Sequence, residues 1–408
     1  MGLRLLLLLS LSWTVAGDSP PRNLVASYRL GVGHRAAVAA AAVLFSGSPS
    51  RLDALTSGTA DTLLIKMDRF GSEGVFTVNF TVDARQGPYR AIVDTGSPFL
   101  IVPSVCSSQW GCGRLSSETD LSIFKDAQGL PSLHTVESYG GQEYDTDWKQ
   151  GDLKFQGATA SLASSLSSQR TTFRNVIFGS VGEDVLRRPG GVFLGLVKTK
   201  ARDVKPTLLG QLGYNAFRMD MALETLTLSR QPLLTTADDA VPLVDLLFLG
   251  SPVRHYAARV KRLIINGQTI AHGSKMYAII DTGTSGCVLS DDITYNEFTP
   301  VPPREVRVTF ESERGAQVEL WAGASSRRAR GEGAPFVVSS AFVPWSGFRR
   351  PFATKKNPYA GSEQRDLPGP SLVVLGMSFL RNRVFTVDAD AGRMLVSDAG
   401  PAAVAAAA

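Results

Sequence analysis

Cysteine is scarce in this chain, with three in 408 residues, so a disulfide framework is excluded as the main support of the fold. Histidine is scarce too: His34, His134, His255 and His272 show no metal-ligand spacing, and no His-Glu-x-x-His motif occurs. Ser285 and Cys287 have no Gly-x-Ser-x-Gly elbow around them, so both read as structural rather than nucleophilic. No segment reaches the roughly 18 consecutive apolar residues that a membrane-crossing helix needs. Convincing long amphipathic helix patterns are also few. What remains is a chain stabilised by buried apolar surface, with no metal or cofactor expected.

That material is ample. Hydrophobic residues make up 44% of the chain, and 408 residues exceed what one core usually serves, so two lobes are expected. The net charge of +5 is spread thinly. Its one dense run, Arg327-Arg328-Ala329-Arg330, lies among Gly, Ser and Ala and reads as a solvated loop, not a nucleic-acid surface. Met1 to Gly17 has the form of a secretory signal peptide: Arg4, an apolar stretch opening at Leu5, and Val15-Ala16-Gly17 for cleavage. The expected route is the secretory pathway, ending outside the cell or in an acidic, lysosome-like vesicle. In such a compartment Cys106 and Cys112 can close a small loop, worth about 2 kcal/mol by chain entropy. Cys287 is left over, either a reactive thiol or, the favoured reading, a buried inert one.

Residues 18–72 lack a sustained alternating pattern and are rich in Pro, Gly, Ser and Ala. From Val75-Phe76-Thr77-Val78-Asn79-Phe80-Thr81-Val82 onward, short strand-like runs recur between Gly, Ser and Pro punctuation. Tyr89 to Val93 reads as a strand, Leu208 to Phe217 as one short helix, and the whole as all-β. Asn79-Phe80-Thr81 is a glycosylation sequon, but its place within a predicted strand argues against occupancy.

Within this β-rich chain one phrase occurs twice. Ala91-Ile92-Val93-Asp94-Thr95-Gly96-Ser97 returns as Ala278-Ile279-Ile280-Asp281-Thr282-Gly283-Thr284. About a hundred residues after each comes an apolar-apolar-Gly element, Phe193-Leu194-Gly195 and Val374-Leu375-Gly376. Two lobes of one duplicated design account for this economically. The partition expected is a signal peptide at 1–17, a candidate pro-segment at 18–72, an N-terminal lobe at 73–222, a C-terminal lobe at 223–400 and an Ala-rich tail at 401–408.

Each phrase delivers one carboxylate from a buried strand onto a turn, where Gly allows close backbone approach and hydroxyls can fix the acid. If Asp94 and Asp281 meet, they cannot both ionise, and the pair holds one shared proton over an acidic window. One member then takes a proton from water while the other donates to an amide carbonyl, with no metal and no covalent intermediate. Thr95, Gly96, Ser97, Thr282, Gly283 and Thr284 are the expected supports, with Ser97 and Thr284 orienting the carboxylates.

These motifs resemble those of the pepsin-like aspartic endopeptidases. The likeness spans about residues 74–398 and includes Ser97-Pro98-Phe99-Leu100-Ile101-Val102-Pro103-Ser104 after the first motif and Leu375-Gly376-Met377-Ser378-Phe379-Leu380-Arg381 near the end. It implies a bilobal β fold with a cleft between the lobes, polypeptide substrates and a monomer. It implies a flap hairpin carrying Tyr139 and Gly140, with Tyr144 as the alternative tyrosine, and a disulfide between Cys106 and Cys112. It also implies that 18–72 is an inhibitory segment removed on maturation. Three positions depart from the family pattern: Ile101 where a Trp is frequent, and Gly190 and Met377 where an Asp is usual. They motivate the alternative reading, a catalytically weak pepsin-like protein that binds peptides or another protein.

Overall fold

The computed structural model describes residues 61–70, 74–83, 88–104, 124–130, 132–139, 142–161, 172–182, 192–198, 205–251, 253–270, 275–290, 293, 304–323, 338–341 and 371–399. All fall in one unit, Thr59–Ala408. The signal peptide, residues 18–60 of the candidate pro-segment, Cys106, Cys112, Gly140, Gly190, the 327–330 basic run and the Ala-rich tail lie outside the described residues. No helix among those described is long and apolar enough to cross a membrane.

The described chain is β almost throughout. In the N-terminal half, a nine-stranded sheet has a path running Phe193–Gly195, Tyr89–Asp94, Val75–Val82, Gln142–Phe155, Thr172–Val181, Ile101–Pro103. The Val75–Val82 strand has the predicted bounds, and the β-branched and aromatic residues that suit a pleated surface are buried on both faces. The C-terminal half holds a five-stranded sheet around Met276–Ile280 and Ser371–Leu375, and a four-stranded one that includes Glu305–Glu311 and Gln317–Gly323. One continuous apolar cluster, from Leu63 to Val396, runs through both halves.

The duplication is visible in strand pairing. Tyr89–Asp94 pairs in parallel with Phe193–Gly195, which sets Gly195 beside Asp94. Met276–Ile280 pairs in parallel with Ser371–Leu375, which sets Leu375 beside Ile280 and brings Gly376 next to Asp281. Both glycines are dictated by crowding. A Cβ on Gly195 would lie 2.5 Å from the Phe99 backbone nitrogen, and one on Gly376 would lie 2.2 Å from the Thr284 carbonyl oxygen. The segment leaving each Asp-Thr-Gly turn threads past its own downstream glycine, so the two parts of each repeat are two sides of one contact.

A seven-stranded sheet joins the halves, in the order Val241–Pro242, Arg393–Asp398, Arg383–Asp388, Ala216–Asp220, Thr225–Ser229, Thr62–Lys66, Thr159–Ser161. Thr62–Lys66 and Asp68–Phe70 fall within the candidate pro-segment, where no sustained pattern is evident in the sequence. Alternation is nevertheless present over five residues: Leu63 and Ile65 point inward and Leu64 and Lys66 outward. The predicted helix at 208–217 covers only Leu208–Leu212. Thr207 caps its start, Gly213 stops it at φ 72°, and Ala216 already belongs to the next strand.

Candidate active site

Asp94 ends its strand with 7% exposure, and Asp281 leaves Met276–Ile280 at the equivalent point of the second repeat. The Gly96 N–H donates to Asp94 Oδ1 at 2.7 Å. The Gly283 N–H donates to Asp281 Oδ1 at 2.9 Å, and the Thr284 hydroxyl to Asp281 Oδ2 at 2.7 Å. Ser97 is buried and close enough to draw the Asp94 carboxyl downward, but its Oγ closes no hydrogen bond of good geometry. Each hydroxyl thus stands beside the carboxylate it is expected to orient, Thr284 through a bond at 2.7 Å and Ser97 by proximity.

The two turns interlock. Thr95 and Thr282 are both fully buried. Each backbone N–H donates to the other's hydroxyl, Thr95 N to Thr282 Oγ1 at 3.1 Å and Thr282 N to Thr95 Oγ1 at 3.0 Å. Each hydroxyl then donates across to the opposite strand, Thr95 to the Ile280 carbonyl at 2.9 Å and Thr282 to the Val93 carbonyl at 2.6 Å. Four bonds with approximate two-fold symmetry therefore hold the carboxylates in mutual position.

The glycines show how close the acids come. A Cβ on Gly96 would lie 2.8 Å from Asp281 Cγ, and one on Gly283 would lie 2.6 Å from Asp94 Oδ1. Each carboxylate occupies the space that a side chain on the opposite motif would need. Burial, the Asp281 charge and a hydrogen bond with Asp281 together hold Asp94 well above the usual carboxylate range, while Ser97 and the Gly96 N–H pull the other way. The proton belongs to the pair. Asp94, raised by burial and by its neighbour, is the member assigned the proton.

Tyr139 is the last residue of the strand His134–Tyr139, paired with Gln142 at the end of a hairpin whose second arm is Gln142–Phe155. Tyr144, the alternative, is 3% exposed and packs with Phe99, Ile101 and Trp148, so it serves the core of that hairpin's base. Cys287 is buried and free, and burial pushes its thiol up, away from reactivity. The Asn79 amide nitrogen donates to Asp68 Oδ2 at 2.8 Å from within a paired strand, so the sequon's acceptor is engaged.

Two nearby residues escape the sequence reading. The register Ala257↔Ile279, continued two residues with Ile280 N bonding the Tyr256 carbonyl at 2.9 Å, sets His255 opposite Asp281. Burial pushes the His255 imidazole down to about 4, and the Asp281 charge opposes this. Tyr256 donates its hydroxyl to the Leu196 carbonyl at 2.6 Å, tying the second repeat to the segment just past Gly195. The register that connects His255 to Asp281 follows from strand pairing, which single-residue motifs do not carry.

No family model matches the chain, and no curated protein matches it. Solved structures do. Basic 7S globulin from soybean aligns at 13% identity with a TM-score of 0.52, over 83% of this chain and 95% of that one. The structure of edgp aligns at 13% and 0.51, over 84% and 96%. Conglutin gamma, a basic 7S globulin from lupine seeds, aligns at 13% and 0.50, over 83% and 95%. At this identity the likeness establishes the fold, which is all-β, bilobal and pepsin-like.

Proposed function

We propose that the chain is an aspartic-type endopeptidase. The observation that carries this reading is the reciprocal packing of each carboxylate against the other motif's glycine, with Asp94 held above the ordinary carboxylate range. In the working state the pair is singly protonated. Ionised Asp281 takes a proton from a water lying between the acids, and that water's oxygen attacks the scissile carbonyl carbon. Asp94 donates its proton to the carbonyl oxygen, giving a tetrahedral diol. Collapse breaks the C–N bond as the amine takes a proton from Asp281 and the diol returns one to Asp94, which restores the starting state. Tyr139, at the end of its hairpin, is the residue we assign to closing over bound peptide.

A second reading is favoured by the comparisons: a pepsin-like protein that binds peptides or another protein with little catalysis. None of the three similar structures is named for a peptidase activity, and two are named as globulins. The route is proposed to be secretory, supported by the Met1–Gly17 pattern. Any removed leader is proposed to end before the Thr62–Lys66 strand, because Leu63, Ile65 and Met67 are 0–1% exposed.

The two readings separate in one experiment, cleavage of denatured globin across pH 3–7 by the folded protein and by Asp94→Asn. Pepstatin-sensitive cleavage that the substitution abolishes is the expected result. Saturable pepstatin binding without cleavage at any pH would establish the binding reading instead.

A further inference from the structure

Beyond the carboxylates, the most unusual cluster in the described residues lies at the base of the hairpin that bears Tyr139. Lys205 and Glu137 form an ion pair with side chains only 9% and 11% exposed. The Lys205 ammonium also lies 3.2 Å from Thr135 Oγ1. It sits 4.8 Å from the centroid of the Trp148 ring and 5.8 Å from that of Phe99. Thr135 Oγ1 in turn donates to Glu137 Oε1 at 2.7 Å and accepts from the Trp148 indole N–H at 2.7 Å. Phe99 and Trp148 meet edge to face at 4.9 Å.

The connectivity of this cluster gives it meaning. Thr135 and Glu137 stand on the His134–Tyr139 strand, two and one alternating positions before Tyr139. Trp148 stands on the hairpin's other arm. Phe99 and Lys205 belong to the body: Phe99 follows the first Asp-Thr-Gly turn and bonds Gly195 through its carbonyl at 2.9 Å, and just beyond Lys205, Leu208 N bonds the Pro98 carbonyl at 2.8 Å. One cation therefore clamps the hairpin strand to the loop that leaves Asp94. A charge taken this far out of water is retained only where partners surround it. Ile101 packs into the same cluster but has no polar atom to hold the hairpin.

We propose that Lys205 is a positioning residue that sets the posture of the His134–Tyr139 strand and its hairpin partner relative to the segment leaving the first Asp-Thr-Gly turn, acting through Glu137, Thr135 and Trp148. Its effect on catalysis rests on the endopeptidase reading, whereas its effect on the hairpin does not. Removing the ammonium takes away the cation that joins Glu137 and Thr135 to the Phe99 and Trp148 rings, and the hairpin's base opens to water. Bound peptide is then gripped less well, while the carboxylate pair itself is untouched.

The test is amide hydrogen exchange on the full secreted protein, comparing wild type with Lys205→Met and Lys205→Arg. In Lys205→Met, amides of 134–150 are expected to exchange at least about tenfold faster, with Tyr89–Asp94 unchanged. Lys205→Arg, which keeps the cation over the rings, is expected to restore most of the protection. Where the protein cleaves peptide, KM should rise about tenfold in Lys205→Met with kcat changed by less than about threefold. If Lys205→Met does not fold, Thr135→Val, which keeps the side chain's shape and removes the hydroxyl shared by Lys205, Glu137 and the Trp148 indole, makes the same comparison. Wild-type exchange across 134–150 in the folded variant overturns the proposal. Faster exchange in a protein that neither cleaves nor binds pepstatin upholds the clamp and rejects the endopeptidase reading alone.

Discussion

At the scale of single residues, Asp94 carries the clearest thermodynamic signature. Its folded pKa lies above the unfolded value of about 3.9. A carboxyl shifted in that direction contributes its stability in full below the unfolded pKa and loses it as pH rises through the folded one. Asp94→Asn cannot ionise, so it is relieved of that loss. Thermal melts should therefore show the variant gaining on wild type as pH rises from 4 to 7, with cleavage lost throughout. A gap that stays constant with pH would mean that the carboxyl is not held protonated by its surroundings. The two aspartates and their glycines were legible in the sequence because the motif is local and occurs twice. The Ser97 and Thr284 hydroxyls read alike there, yet only one closes its bond. That difference depends on side-chain direction, which residue type does not encode. Lys205 and Glu137 are 68 positions apart, and an ion pair across such a distance leaves no local pattern to read.

At the scale of elements, the Thr62–Lys66 strand is the one whose importance its sequence conceals. It is five residues long, in a stretch whose composition suggests a disposable leader. It pairs on one side with Thr225–Ser229 over all five residues and on the other with Thr159–Ser161. Leu63, Ile65 and Met67 contribute about 2 kcal/mol each by burial, a sum comparable to the whole stability of many domains. A chain that begins at Asp61 is expected to be secreted folded, with a melting temperature near that of the matured protein. One that begins at Asp68 is expected to melt at least about 10 °C lower or to fail secretion. Equal melting temperatures would show that the strand is dispensable and that the leader extends through it. The strands at Val75–Val82 and Tyr89–Asp94 were legible because β-branched and aromatic residues crowd them. Thr62–Lys66 was not, since five alternating residues fall within the noise of any polar segment.

At the scale of the molecule, the two repeats must be held in register, or the carboxylates do not meet. The seven-stranded sheet joins them broadly, with Ala216–Asp220 pairing with both Thr225–Ser229 and Arg383–Asp388. The boundary expected at residue 222 falls in the turn inside this sheet, so the lobes share structure across it. The fine adjustment falls to Thr95 and Thr282. Thr95→Val keeps the shape but leaves the Thr282 N–H and the Ile280 carbonyl buried without partners. Thr282→Val does the same to the Thr95 N–H and the Val93 carbonyl. Each should cost about 2–4 kcal/mol in denaturant unfolding. The bonds lost are different ones, so independent sites would make the double variant cost the sum. We expect about 1 kcal/mol less than the sum, because a clamp opened on one side no longer holds the other in place. Cleavage should fall as far in either single variant as in the double, since the carboxylates lose their common plane once the first half opens. Strict additivity in stability, with partial activity left in each single variant, would show instead that the shared sheet alone sets the register and that the threonines only fill the space beneath the acids.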